Sequence, residues 1–302
     1  MLERKNWTAE GISESENALE YIGRVLSLSE RDRKVLLEYH LAGVNNHMIT
    51  KQMTVHNGDR ISVTIPDEKP PEHLPEEVPL EILYEDDVLL VLNKQRGTPV
   101  IPGPGNWHKT MTNGLLYYLG ETQYGTFVHR LDATSSGCLL AAKTKRAAAM
   151  LSEEIAEHKA RRIYRALCEG IAEDHGVIDA PIGRDPEDFR RMAVTEQESR
   201  HARTEYECMD KFGSFSEVRF RLETGRTHQI RVHAAYIGHP LIGDTLYGRE
   251  CPYLKEQGAV LHAERICFTH PNGGYMEVEA PLPKYYTDLC EILEREKPED
   301  HL

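Results

Sequence analysis

Hydrophobic positions recur first at helical and then at strand-like spacing in the first 66 residues. Residues 29–40 begin with Ser29, a residue type that caps helices, and carry apolar side chains at helical spacing, which predicts a helix. Gly43 ends this pattern, and Asn57-Gly58 predicts a turn between the last two of three short strands. The strands are predicted at 44–46, 53–59 and 61–65. Residues 1–66 therefore form a predicted α/β module.

A proline-rich stretch separates this module from the rest of the chain. Residues 66–79 contain five prolines and few apolar side chains, so we assign 67–79 to an extended linker. Residues 80–84 and 88–94 then predict a hairpin, whose second strand is apolar on both faces and therefore buried. An amphipathic helix is predicted at 145–159, and strands are predicted at 164–168, 204–209 and 216–222. This mixed order favours an α+β domain at 80–290, followed by a charged tail at 291–302.

Composition narrows the class of protein. The 302 residues suffice for one large domain with a smaller module. The six cysteines show no C-x-x-C pair or disulfide framework, and no signal-like segment opens the chain, so we expect a reduced, cytoplasmic protein. No run approaches the roughly 18 apolar residues needed to span a bilayer. We therefore expect no membrane association. We also expect a monomer.

The net charge of −13 argues against a nucleic-acid partner, since affinity for phosphates comes largely from lysine and arginine. The distribution of charge weakens that objection. More than half of the 36 basic residues lie within 126–250, and a local basic face matters more than the sign of the whole.

The segment from Val128 to Gly137 carries candidate chemistry. Arg130 and Asp132 stand two positions apart, so on an extended chain they share one face. The apolar run 138–142 follows, which predicts that Asp132 lies on a loop between strands. A neighbouring cation favours an ionised carboxylate. Taken alone, however, an Asp in a turn is more often a structural cap than a catalytic group.

Several segments, read in order, resemble the pseudouridine synthases of the RluA family. His129-Arg130-Leu131-Asp132 with Ser136-Gly137 matches the catalytic signature of that family, and residues 224–248 match a later signature almost continuously. The other matching segments are Leu83 to Asp87 with Asn93-Lys94 and Gly97, Arg162 to Leu167, and Leu261-His262-Ala263. The chain departs from the family at Thr134-Ser135, where Asp-Thr is usual, and at Arg162, where Lys is common.

This resemblance implies a fold and a reaction. The fold would be the pseudouridine synthase fold, α+β, with a mixed, largely antiparallel central sheet flanked by helices. The enzyme would cleave the N-glycosidic bond of specific uridines in rRNA or tRNA, turn the base and rejoin it through carbon. This isomerisation involves no net redox change and no energy input, so no cofactor is expected. His228 and His233 are five residues apart and no Cys/His cluster is present, so no metal is expected either.

The resemblance also assigns roles to residues. Asp132 would be the catalytic carboxylate, acting either as a nucleophile or as a base. Tyr164 would stack on the extruded uracil, gaining on the order of 1–3 kcal/mol, and assist a late proton step. Arg226 is the first candidate to pair with Asp132 and keep it charged, and Arg231 is the second. Arg130 would fill the space that the uridine leaves. The remaining residues expected to bind substrate or RNA are His129, His228, Arg231 and Leu261.

The N-terminal module resembles the small αL-motif RNA-binding domain first known from a ribosomal protein. The matching features are Arg31, Arg33 and Lys34 on the predicted helix, Gly43-Val44-Asn45, and Asn57 to Ile61. Glu30, Asp32 and Glu38 interrupt the basic helix, which weakens its expected contacts with phosphates.

Two other functions compete with the synthase hypothesis. A ribosome-assembly or RNA-chaperone protein on a degenerate enzyme scaffold would form no pseudouridine, although the presence of Asp132, Tyr164 and Arg226 argues against it. A hydrolase would release free uracil instead of retaining the base.

Overall fold

The computed structural model describes residues 2–38, 40–66, 74–103, 106–120, 123–188 and 191–295. These residues form two compact units. The first contains the described residues within Met1–Glu72, together with Pro102–Trp107 and Arg184–Arg191. The second contains those within His73–Ile101, His108–Gly183 and Met192–Leu302.

The N-terminal part of the first unit pairs two helices with small antiparallel sheets. A four-stranded sheet has the order β1-β6-β3-β4, and β2 pairs with β5. Tyr21 and Ile22 of α1 and Leu36 of α2 join the sheet residues Ile61 and Val63 in one buried core. The elements are β1 (Leu2–Thr8), β2 (Glu16–Asn17), α1 (Ala18–Val25), α2 (Glu30–Glu38), β3 (Ala42–Val44), β4 (His47–Met48), β5 (Thr54–Val55) and β6 (Arg60–Pro66).

The prediction for this region is correct for its second helix and incomplete elsewhere. Helix α2 begins after Ser29, whose hydroxyl accepts a hydrogen bond from the backbone N–H of Asp32, as a capping Ser does. The strand predicted at 44–46 is wrong in part. Asn45 and Asn46 have φ of +51° and +70° and form the turn between β3 and β4, because positive φ at both central positions fits the twist of a tight hairpin. The pattern missed β1 and α1.

The second unit is built on a ten-stranded sheet. Its main path is β12-β15-β16-β11-β17-β10-β8-β7, with β18 beside β17 and β9 beside β10. Only β10 and β17 among these described strand pairs run parallel, so the sheet is mixed and largely antiparallel, as the α+β prediction requires. Its strands are β7 (Ile82–Glu85), β8 (Leu89–Lys94), β9 (Thr126–Phe127), β10 (Ser136–Ala142), β11 (Arg161–Glu169), β12 (His175–Asp179), β15 (Arg203–Phe212), β16 (Phe215–Leu222), β17 (Leu261–Thr269) and β18 (Tyr275–Glu279).

Helices cover this sheet. Met111 of α3, Leu151 of α4 and Ile230 of α5 share the main hydrophobic core with the sheet. Tyr286 of α6 packs in a separate cluster with Leu167, whose side chain points to the opposite side of β11 from its neighbour Ala166. The remaining elements are α3 (Met111–Leu119), α4 (Lys145–Ala156), β13 (Ile182–Arg184), β14 (Met192–Val194), α5 (Gln229–Tyr236) and α6 (Lys284–Arg295). Strands β13 and β14 form a separate pair.

The predicted linker and tail are described only in part. Residues 67–73 and 296–302 lie outside the described residues. Residues 74–79 contain no helix or strand but are held in place, since the side chain of Asn113 in α3 donates to the carbonyl of Leu74 and the carboxylate of Glu76 accepts from the backbone of Lys109. Residues 291–295, assigned above to the tail, are the last residues of α6.

Candidate active site

The loop that carries Asp132 runs between β9 and β10 and is held by the buried side chain of Lys94. The ammonium group of Lys94, at the end of β8, donates to three carbonyl oxygens, those of Gln95, Thr98 and Ala133, at 2.7 to 3.0 Å. Ala133 follows Asp132 directly, so Lys94 ties the Asp132 loop to the segment that follows β8. Burial lowers the pKa of Lys94 to about 7, and the negative charge of Asp132 opposes this shift.

Glycine lets the start of β10 approach β17 closely. Gly137 has φ of +103°, and a Cβ atom there would lie 2.3 Å from the carbonyl oxygen of Ala263. Beside it, the hydroxyl of Ser136 is 2.9 Å from Nδ1 of His262. The parallel pairing of β10 with β17 at Ser136 and Gly137 therefore sets the direction from which the Asp132 loop arrives.

Asp132 belongs to a chain of three charged groups. One guanidinium nitrogen of Arg231, Nη1, donates to Oδ2 of Asp132 at 3.2 Å. The other two nitrogens donate to the carboxylate of Asp244 at 2.6 and 2.7 Å, a bidentate pair. Burial works against the charge on Arg231, but the hydrogen bond and charge of Asp244, joined by Asp132, raise the pKa of Arg231. Asp244 itself is fully buried.

Arg231 therefore occupies the place that the sequence analysis gave first to Arg226. Arg231 lies on α5 and faces inward, whereas Arg226 lies in the loop before that helix. The Nε of Arg226 donates to the carbonyl oxygen of His201 at 2.9 Å. Among the described residues Arg226 has no ion pair with Asp132, so its expected pairing is wrong, although it does line the same pocket.

His228 and Tyr247 stand on the other side of Asp132. Nε2 of His228 is 3.9 Å from Oδ2 of Asp132, and Nδ1 is 2.8 Å from the hydroxyl of Tyr247. His228 is the N-cap of α5 and has φ of +57°, an uncommon conformation for a residue with a side chain. Burial lowers the pKa of His228, and Asp132 opposes the shift. The guanidinium of Arg231 lies 5.0 Å from the ring centre of Tyr247.

A cleft of about 60 Å³ opens above these groups and brings most of the expected residues together. Tyr164 is only 5% exposed and forms one wall with Leu222 and Leu261. Burial raises the pKa of Tyr164, with Asp132 adding to the shift and Arg162 opposing it. The lining residues are Arg130, Leu131, Asp132, Ser135, Tyr164, Leu222, Arg226, His228, Gln229, Ile230, Arg231 and Leu261.

His129 lies apart from this cleft and supports the sheet. Its Nε2 accepts a hydrogen bond from the backbone N–H of Leu140 in β10. Burial, together with the charge of Arg162, lowers the pKa of His129 to about 3, so the ring is neutral. This geometry gives His129 a structural contact where the sequence analysis expected contact with RNA. Arg130 is exposed at the edge of the cleft.

Sequence reasoning did not assign roles to three residues that shape the site, namely Lys94, Asp244 and Tyr247. All three lie in segments that match the family signatures, but a pattern does not say which of their side chains turn inward. The signal available in the sequence was the isolated acid of Gly243-Asp244, since a buried carboxylate needs a cationic partner.

Among the described residues, no group of three or more His, Cys, Asp or Glu side chains is placed to hold a metal ion. In that same part of the chain, no helix is long and apolar enough to cross a membrane.

Comparison with known proteins gives the class to which this fold and site belong. The family model for RNA pseudouridylate synthases matches residues 88–236. The Bacillus subtilis protein named "Uncharacterized RNA pseudouridine synthase YlyB" is 39% identical over 260 residues, which cover 83% of this chain and 85% of that one. "Ribosomal large subunit pseudouridine synthase D" of Nitrosomonas europaea is 40% identical over 270 residues, covering 85% of this chain and 77% of the relative.

A solved structure agrees. "Human RNA Pseudouridylate Synthase Domain Containing 1" superposes with a TM-score of 0.58 at 26% identity, covering 76% of this chain and 99% of the human one. The chain therefore belongs to the RNA pseudouridine synthase family, of the RluA-like type, and is an isomerase that acts on RNA.

Proposed function

We propose that Asp132 is the catalytic carboxylate of this synthase, working in the cleft formed with Tyr164 and Arg231. The observation that carries the proposal is the hydrogen bond of 3.2 Å between Arg231 and Asp132 at the base of that cleft. Arg231 is itself held by the buried carboxylate of Asp244, so its position is set before any substrate arrives. A preorganised cation of this kind places positive charge beside the Asp132 carboxylate, the group that both possible roles use.

The walls of the cleft suit an extruded base. The target uridine must leave the RNA stack before its base can turn, at a cost of a few kcal/mol. Tyr164 stacks on the uracil, and the apolar side chains of Leu222 and Leu261 exclude water while the base is detached. Retention of the base is what separates isomerisation from hydrolysis. Arg130, exposed at the edge, enters the space that the base leaves in the RNA.

As the substrate we propose a uridine of large-subunit ribosomal RNA. The support is that curated relatives 36–40% identical to this chain, from several bacteria, are named ribosomal large subunit pseudouridine synthase D. A transfer RNA uridine is the alternative. Specificity within such a family depends on RNA shape and on accessory contacts outside the shared site.

Replacing Asp132 by Asn tests the catalytic proposal. Asp132→Asn keeps the size of the side chain and removes its charge, so the protein should stay folded and form no pseudouridine above background in ribosomal or transfer RNA from a strain lacking the gene. The matched control is Asp87→Asn in the exposed turn between β7 and β8, which should keep wild-type activity. Substantial product from Asp132→Asn would overturn the assignment, and free uracil from the wild type would indicate a hydrolase.

We further propose that the N-terminal module binds RNA, as the αL-motif resemblance implies, and that the enzyme acts as a monomer in the cytoplasm. The module supports the first point with two adjacent helices on a small sheet. All six cysteines are free, which suits a reducing compartment. Light scattering at micromolar concentration should give the mass of one chain, 34.5 kDa.

A further inference from the structure

Arg162, at the start of β11, is a buried cation with no counter-ion among the described residues. Only 8% of the residue is exposed. Within the part of the chain that the structure describes, its guanidinium has no carboxylate within ion-pair distance, and its Nε has no hydrogen-bond partner. Burying an ion in this way is costly unless another group compensates the charge. The other buried guanidinium at the site, that of Arg231, is compensated by two carboxylates.

The position of Arg162 is adjacent to the catalytic cleft. It stands two residues before Tyr164 on β11, so the two side chains share one face of the sheet. Its register partner on β16 is Leu222, which lines the cleft. The guanidinium lies against Gly225, where a Cβ atom would come within 2.6 Å of Nη1 and 3.1 Å of Nη2. The missing side chain at Gly225 therefore makes the space that the guanidinium occupies.

Other basic side chains surround this point. Burial lowers the pKa of His158, and the nearby charges of Arg226, Arg162 and His201 lower it further. Burial likewise lowers the pKa of Arg226, and Arg200 adds to the shift. Among these residues, within the described ranges, only His201 has a carboxylate partner, Asp179 at 3.1 Å. Within the described ranges, a protein with a net charge of −13 thus gathers positive charge without carboxylate partners, on Arg162, Arg200 and Arg226, at one side of the Asp132 cleft.

The ligand that suits such a cluster is an anion with several oxygens. A guanidinium presents a planar fork of N–H donors that fits two oxygens of a phosphate, and the surrounding cations add attraction without specifying a base. An RNA that delivers a uridine to the Asp132 cleft necessarily brings its phosphodiesters to the same edge.

We propose that Arg162, with Arg226 and His158 beside it, binds a backbone phosphate of the RNA next to the extruded uridine. This inference rests on the proposed function, since it takes the nucleotide in the Asp132 cleft as its reference point. The phosphate compensates the charge of Arg162. The buried charge is therefore uncompensated without RNA and compensated when RNA is bound. The contact holds the strand on either side of the flipped nucleotide and does not take part in bond making.

A charge-neutralisation cycle tests the contact. The RNA is a synthetic stem-loop that carries the mapped uridine, with one phosphate at a time replaced by an uncharged methylphosphonate. Binding is measured with protein that also carries Asp132→Asn, so that no product forms. One replacement beside the uridine should weaken binding to the otherwise unchanged protein about tenfold or more, the usual effect of losing a charged hydrogen bond. The same replacement should cost Arg162→Met protein little, because the contact is already absent. If the losses of binding from each methylphosphonate and from Arg162→Met simply add at every position, the proposal is overturned.

Unfolding without RNA separates this role from a structural one. Arg162→Met removes an uncompensated buried charge, so its melting temperature should equal or exceed that of the wild type. A lower melting temperature together with additive binding losses would mean that Arg162 serves the fold. Arg162→Lys, which keeps the charge without the planar fork, should retain part of the coupling and covers the case in which the Met variant fails to fold.

The matched control is Arg265→Met. Arg265 lies on β17 opposite Ile163, one residue along β11 from Arg162, but it pairs with Glu277 and Glu279. Its replacement should leave the response to methylphosphonates unchanged. Inorganic phosphate at constant ionic strength forms a further arm: if it competes with RNA in the wild type while the cycle stays additive, the cluster binds free anions and the proposal fails. If the binding losses are coupled as expected but the wild-type enzyme forms no pseudouridine, the result would count against the proposed function alone.

Discussion

At the scale of single residues, Arg231 and Arg226 show how position decides the role of a side chain. Both are arginines of one signature segment, five residues apart, and both line the cleft. Arg231 has two fixed carboxylate partners, whereas the side chain of Arg226 bonds only to a backbone carbonyl among the described residues. The first is therefore part of the charge balance of Asp132, and within the described part of the chain the second is not.

This difference predicts different kinetic effects. Arg231→Lys keeps a positive charge but cannot hold Asp132 and Asp244 at once, so kcat should fall about a hundredfold. Arg226→Lys should mainly raise KM, with kcat changed less than about threefold, because it leaves the pair of Asp132 intact. Steady-state formation of pseudouridine at saturating and at limiting RNA separates the two effects. A larger fall in kcat for Arg226→Lys than for Arg231→Lys would contradict the geometry.

At the scale of elements, the pairing of β10 with β17 fixes the loop that carries Asp132. Gly137→Ala would place a methyl group against the backbone of Ala263 at a position with positive φ, so we expect a loss of about 3 kcal/mol in the free energy of unfolding. Gly273→Ala is the matched control, since Gly273 also has positive φ but nothing lies within 4 Å of its added methyl group. It should cost about 1 kcal/mol. Equal losses in denaturant titrations of the two variants would show that the close approach does not matter.

The same scale shows what a sequence pattern can and cannot predict. The apolar run of β8 and the amphipathic α4 follow from periodicity, and their bounds agree within a few residues. Helix α5 does not follow, because its buried residues include Gln229, Arg231 and His233, which a pattern treats as exposed. These side chains are buried because each finds a hydrogen-bond partner, and partners distant in sequence cannot be read from spacing.

The residues of the candidate site likewise fall into those that the sequence predicted and those that it did not. The family resemblance brought Asp132 and Tyr164 together, and the structure places both at one cleft. It could not rank Arg231 above Arg226, because the ranking depends on where α5 begins. It also gave no role to Lys94, whose burial and three carbonyl partners become visible only once the strands are assembled.

At the scale of the whole molecule, the distribution of charge reconciles an acidic protein with an RNA substrate. Among the described residues, Arg162 and Arg226 have no carboxylate partner beside the Asp132 cleft, whereas three cations of the N-terminal helices are already paired. Lys34 lies 3.0 Å from Glu30, Arg33 pairs with Glu20, and Arg24 lies 2.6 Å from Glu16. Pairing within the module competes with pairing to phosphates, so the module should bind RNA more weakly than its number of basic residues suggests.

Releasing those cations should therefore strengthen RNA binding. The double variant Glu20→Gln, Glu30→Gln frees Arg33 and Lys34, and if the module contacts RNA, affinity should rise about tenfold at low salt. Each new phosphate contact should steepen the slope of log K against log salt by about 0.7 to 0.9. The control, Glu277→Gln with Glu279→Gln, changes the net charge equally but frees Arg265 in the other unit. An equal gain in the control would mean that net charge alone is responsible and would contradict an RNA-binding role for the N-terminal module.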